Sequence, residues 1–147
     1  MEFNNRRLKL FWMGTLFIKI IYAYIAFKDG TYTNQIHPNA LNLEIIFLLI
    51  GVFSTFIAVW LFRNIRNNNK RILKIINRMK TEAEDKNFSV YVIILGLIET
   101  TSLYGMIGYM MVGDIKLIVS LFSIAILGWL LVYPGSFSNS TKDFTKP

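Results

Sequence analysis

The chain contains no cysteine and a single histidine. Without thiols it forms neither disulfides nor thiolate metal sites. The lone His37, just before Pro38 in a polar segment, reads as a solvated loop residue rather than a ligand, so neither metal nor cofactor is expected. Charge is scarce as well: only 17% of the 147 residues are Asp, Glu, Lys or Arg, where a soluble domain carries about 25%. No complete catalytic motif is present, and the chain reads as non-enzymatic. What fills the space is apolar, 54% hydrophobic and 15% aromatic, a composition that a disordered chain does not have.

The apolar residues fall into four stretches, 10–27, 45–62, 90–112 and 117–133. A bilayer core of about 30 Å is crossed by about 17–25 helical residues, so each is long enough. Runs such as Ile45 to Ile50 are continuously apolar and lack the alternation of barrel strands. Helices are the remaining way to satisfy every backbone group in lipid. The expected fold is therefore an all-α integral membrane protein of four transmembrane helices in a single domain, 1–147. A basic connection, 63–89, joins the second and third spans, and a polar tail, 134–147, follows the fourth.

Sidedness follows from the basic residues, which concentrate in cytoplasmic segments. Thirteen of the sixteen Lys and Arg lie in the N-terminal tail, the central connection and the C-terminal tail, against Lys28 and Lys116 in the two other loops. Both termini and the connection are thus expected in the cytoplasm of a cell with a bacterial inner-membrane type of envelope. Trp12, Trp60 and Trp129 fall near the same ends of their helices, where indoles favour the headgroup level. The net charge of +7 is then topological, and nucleic acid is not an expected partner. Within the connection, Ile72, Leu73, Ile76 and Met79 recur at helical spacing among Lys70, Lys74 and Arg78. That segment reads either as a helix on the anionic inner leaflet or as a solvated continuation of the second span. The first span follows Arg6, Arg7 and Lys9 as a secretory signal would, but it is long, contains Lys19 and lacks a small-residue cleavage site, so it reads as uncleaved.

The halves also align with each other. A shift of 82 residues pairs Gly14, Ile21, Tyr22 and Ile25 with Gly96, Leu103, Tyr104 and Ile107, and a shift of 69 pairs Phe53-Ser54, Ile57 and Trp60-Leu61 with Phe122-Ser123, Ile126 and Trp129-Leu130. Two duplicated helical hairpins, related by an axis along the membrane normal, are expected.

Only two charged residues lie inside the stretches, Lys19 and Glu99, each nine residues from the inner end of its span. At 1.5 Å per residue both sit roughly 13–14 Å deep, near mid-membrane and at matching depth. A charge there costs at least about 2.5–3.5 kcal/mol, so it faces protein and seeks a partner. An ion pair between them, within a chain or between neighbouring copies, is expected. Small and hydroxyl residues surround each: Gly96, Ser102 and Leu103 beside Glu99, with Thr101, Gly105 and Gly108 as a second ridge, and Thr15, Tyr22 and Ala23 beside Lys19. Such residues permit close helix approach and complete the hydrogen bonds of a buried carboxylate. The bland role for the pair is to set helix register; the functional one is a carboxylate that takes up and releases a proton or cation.

The segment Leu97-Ile-Glu-Thr-Thr-Ser-Leu-Tyr-Gly-Met-Ile107 resembles the carboxylate helix of the proteolipid c subunits of rotary ATPases. In that family an ion-binding Glu is followed five residues on by an aromatic or bulky apolar residue and six residues on by Gly, as Tyr104 and Gly105 follow Glu99 here. The likeness is confined to this one helix. No Gly-x-Gly-x-Gly run precedes it, and Phe17 stands where a duplicated carboxylate would. The resemblance implies that Glu99 is the ion-binding carboxylate and that Tyr104 and Gly105 shape the helix contact beside it.

Three functional expectations follow. The first is a non-enzymatic, proteolipid-like membrane subunit, homo-oligomeric or part of a larger complex, whose mid-membrane carboxylate handles protons or cations. The second is a small proton- or cation-coupled transporter. The third is a structural or lipid-organising component whose basic connection docks a cytoplasmic partner. Beyond such chains, membrane lipid is the expected partner.

Overall fold

A computed structural model describes residues 2–29, 40–67, 69–77 and 83–134. Five α-helices occupy them: α1 (Glu2–Asp29), α2 (Ala40–Arg66), α3 (Lys70–Asn77), α4 (Ala83–Val112) and α5 (Ile115–Leu131). Among the described residues there is no strand. No proline falls inside any of these helices, so no missing N–H interrupts the hydrogen-bond ladder. The four long helices follow the four apolar stretches with shifted ends, α1 beginning at Glu2 rather than Leu10. Residues 10–27, 45–62 and 90–112 lie wholly within α1, α2 and α4, while α5 ends two residues before Tyr133. His37, residues 78–82 of the connection and residues 135–147 of the tail lie outside the described residues.

Among the described residues, three helices are long and apolar enough to cross a membrane: Arg6–Lys28, Asn42–Arg66 and Phe88–Val112. The chain thus has the character of an integral membrane protein. The fourth apolar helix, α5, has 17 residues. Large apolar side chains on the outer faces of α1 and α2, such as Phe17, Tyr24, Leu49, Phe53 and Phe56, are exposed, as lipid-facing residues are.

Helix α4 is the hub. It packs against α1, α2 and α5, and α2 also packs against α5, whereas α1 and α2 make no extensive contact with each other. About 44% of the α4 span is buried, against 17% for α1 and 22% for α2. Small residues explain the choice of hub. Gly105 and Gly108 lie where an added Cβ would come within 3.1 Å of Leu121 Cβ and 2.7 Å of Leu117 Cδ2 on α5, so these two helices meet closely. In lipid, where apolar burial alone does not drive helices together, such approach supplies the van der Waals gain. Leu8, Phe62, Ile65, Val90, Tyr91 and Val132 join one core cluster. The start of α1, the end of α2, the start of α4 and the end of α5 therefore lie at one end of the bundle.

The connections are specified locally. Gly113, with φ of 77°, ends α4 in the left-handed region that L side chains avoid. Its N–H returns to Tyr109 O at 2.7 Å, and Asp114 caps α5 by accepting from the Lys116 N–H at 2.7 Å. At the other end Asn69 accepts from the Arg71 N–H at 3.1 Å and donates to Asn64 Oδ1 at 2.7 Å. The second span therefore does not run on as a continuous stalk: it stops at Arg66, and α3 begins a new helix packed against α2 and α4. On α3, Ile72 rests against the core, while Lys70, Arg71 and Lys74 are exposed.

Candidate functional site

The helix arrangement carries both intramembrane charges to one place. Lys19 on α1 and Glu99 on α4, 80 residues apart, form an ion pair in which Nζ donates to Oε1. Lys19 is 3% exposed and the Glu99 side chain 14%. Two charges so placed are removed from water together, and their mutual attraction offsets a desolvation that neither would tolerate alone. The pair forms within one chain.

The site is only half satisfied. Glu99 Oε2 and the Ser102 hydroxyl are both buried and have no hydrogen-bond partner. Ser102 lies three residues beyond Glu99, one turn along α4 and on the same side of the helix. A buried carboxylate oxygen is an acceptor, and a hydroxyl can both donate and accept. Each presents an oxygen to which a proton, a water or a small cation can bind.

A second polar tie lies between the pair and the clustered end of the bundle. Trp12 on α1 and Trp129 on α5 stack with ring centroids 3.7 Å apart and planes 6° from parallel. Each indole N–H donates to the other's backbone carbonyl at 3.0 Å. The Thr15 hydroxyl accepts from Trp129 Nε1 at 3.0 Å and donates to Trp12 O at 2.8 Å. Thr15 is one turn before Lys19 on α1. Polar side chains on α1 thus lead from the tryptophan stack towards the ion pair. The sequence marked both indoles as interfacial but did not pair them. The available signal was that α1 and α5 run in opposite directions, with each Trp near the same end.

The remaining site candidates distribute differently. Tyr22 is half-buried one turn beyond Lys19. Tyr104 turns towards α2, its ring 6.0 Å from that of Phe47, and Gly105 packs against Leu121 and Phe122 of α5. Those two serve helix contacts rather than the charged pair. Gly96, expected beside Glu99, is exposed with nothing within 4 Å of an added Cβ, because it faces away from α1, α2 and α5. Among the described residues no group of three or more His, Cys, Asp and Glu is placed to hold a metal ion.

On the opposite side of α4, Thr101 donates to Gly51 O at 2.9 Å and lies 2.9 Å from the Thr55 hydroxyl. Thr101→Val keeps the shape and removes both links. The expected cost is about 1 kcal/mol, the ordinary worth of an interhelical hydrogen bond in a membrane protein, read as a shift in reversible unfolding in detergent micelles. A change below about 0.3 kcal/mol would mean that the α2–α4 contact rests on packing alone.

No family model, curated protein or solved structure matches the chain. Its function has to be read from these residues.

Proposed function

We propose that the chain is a four-span, non-enzymatic, proteolipid-like membrane subunit, with both termini cytoplasmic, in which Glu99 exchanges a proton or cation against Lys19. One observation carries the reading. Glu99 has one oxygen held by Lys19 and the other buried without a partner, and Ser102, one helical turn along, bears an equally unpartnered hydroxyl. A pair that served only to hold helix register would gain by satisfying that second oxygen. The 17 residues of α5 span about 25 Å, at the short end of what crosses a bilayer. The meeting of the start of α1 and the end of α5 in one core cluster supports placing both termini on one side. Assembly with further copies, or with other chains of a membrane complex, belongs to the same reading, as does the likeness of residues 97–107 to the proteolipid carboxylate helix.

A second reading has its own support. The ion pair is complete within one chain, which favours a small proton- or cation-coupled transporter that needs no neighbouring copy.

Flux into proteoliposomes, read with a pH-sensitive dye under an imposed potential, tests both. The variant Lys19→Met with Glu99→Gln leaves no unpaired charge and is expected to fold, to elute from size exclusion as the parent does, and to carry no flux. Equal flux in parent and variant would remove Glu99 from any transport role. No flux in the parent, joined to loss of assembly in the variant, would leave the pair a structural one. Flux from a monomeric parent selects the transporter over the oligomeric subunit.

A further inference from the structure

The face of α2 that emerges beyond the bilayer core bears a second feature, independent of the ion pair. A cleft of about 380 Å³ is lined by Phe56, Val59, Trp60, Arg63, Asn64 and Asn67. Its volume lies within the about 300–1,000 Å³ of small-ligand sites. The lining is graded along the helix. Phe56 is 64% exposed and Trp60 48% exposed, while Arg63 and Asn67 beyond them are exposed polar groups. From Phe56 to Arg63 the rise is about 10 Å, so one groove passes from acyl-chain depth, through an indole at headgroup level, to a guanidinium at the surface. No acidic residue occurs between Trp60 and Asn77, whereas Arg63, Arg66, Lys70, Arg71 and Lys74 all do.

We infer that this groove holds an anionic phospholipid, its phosphate on Arg63 and the Asn67 amide and an acyl chain along Phe56 and Val59. The guanidinium matches phosphate oxygens in a planar fork. Asn64 shapes the floor rather than binding, since its amide donates to Trp60 O at 2.8 Å and its oxygen accepts from Asn69 at 2.7 Å. The backbone contributes no attraction, because the C-terminal end of a helix carries partial negative charge. Selectivity for an anion therefore depends on the arginine side chain. The apolar half of the groove makes the occupant a lipid and not a free anion.

Native mass spectrometry of the detergent-solubilised full chain, titrated with phosphatidylglycerol and with phosphatidylcholine of the same acyl chains, tests this. Phosphatidylglycerol should bind in preference, and Arg63→Gln should weaken it about fivefold, the usual effect of one basic residue on an anionic surface. Arg63→Lys should recover part of that loss. Lys9→Gln, which removes an equal charge from exposed α1, should change little. Inorganic phosphate or glycerol phosphate should not displace the lipid at equal concentration. Equal binding of both lipids, equal losses in Arg63→Gln and Lys9→Gln, or displacement by free phosphate would each overturn the assignment. Both α2 variants change an exposed side chain, and unchanged helicity by circular dichroism separates lost binding from lost fold.

Discussion

Lys19→Met and Glu99→Gln, made singly, are each expected to destabilise the bundle by about 3 kcal/mol or more, while the double variant recovers most of that loss. Each single change leaves a buried group, 3% exposed for Lys19 and 14% for Glu99, without the partner that offsets its desolvation. Breaking a buried pair from one side costs about 3–5 kcal/mol, whereas replacing both partners with uncharged groups is often close to neutral. The lipid surroundings sharpen the contrast, since a lone charge at mid-depth bears at least about 2.5–3.5 kcal/mol by insertion measurements. A double-mutant cycle on reversible unfolding in bicelles should therefore return a coupling of about 5 kcal/mol, close to the sum of the two single losses. Strict additivity would mean that the two groups do not depend on each other, and the pair would then not be the organising feature of the α1–α4 contact.

Gly128→Ala should be the most damaging single methyl addition among the described helical glycines. An added Cβ there lies 2.5 Å from Thr55 Cγ2 and 3.6 Å from Ile98. The threonine cannot simply turn aside, because its hydroxyl lies 2.9 Å from Thr101 Oγ1 and its branched Cβ restricts χ1. Either α5 backs away from α2 or the Thr55–Thr101 link breaks. Overpacking of this kind costs about 1–3 kcal/mol. Gly51→Ala meets Leu121 Cδ2 at the same 2.5 Å, but that atom is the far end of a flexible side chain, and the loss should be smaller. Gly14→Ala and Gly96→Ala provide the opposite control: nothing lies within 4 Å, and removing a helix-interior glycine should stabilise by about 0.5–1 kcal/mol. Thermal denaturation of the four variants in one detergent should rank Gly128→Ala lowest and Gly14→Ala and Gly96→Ala above the parent. If Gly128→Ala melts with the parent, α2 and α5 do not approach as closely as described.

The parts readable before the fold was known share a physical basis. Long apolar runs without proline define helices whatever packs on them, and the depth of Lys19 and Glu99 follows from counting residues along such helices. Which face each helix presents is a different matter, because small residues occur on several faces of α4. Spacing alone puts Gly96 beside Glu99, yet it points outward, while Gly105 and Gly108 meet α5. The tryptophan stack was hidden for a related reason: indoles at headgroup depth are expected on any membrane helix. Trp60, which is exposed, has that ordinary placement, whereas Trp12 and Trp129 face inward. The helix ends were also set by local polar chemistry, Asn69 and Asp114 above all, rather than by the limits of the apolar runs.

The distance in sequence between Lys19 and Glu99 has a consequence for biogenesis. Helix α1 emerges from the ribosome carrying an intramembrane lysine whose counterion is 80 residues downstream, and its Trp12 docks on an indole 117 residues away. At synthesis rates of about 5–20 residues per second, the nascent first helix waits about 4–16 s with its charge unmatched. During that interval it must be sheltered, by the insertion machinery or by keeping its lysine near the interface. Its settled position in the bilayer is reached only when the later helices arrive.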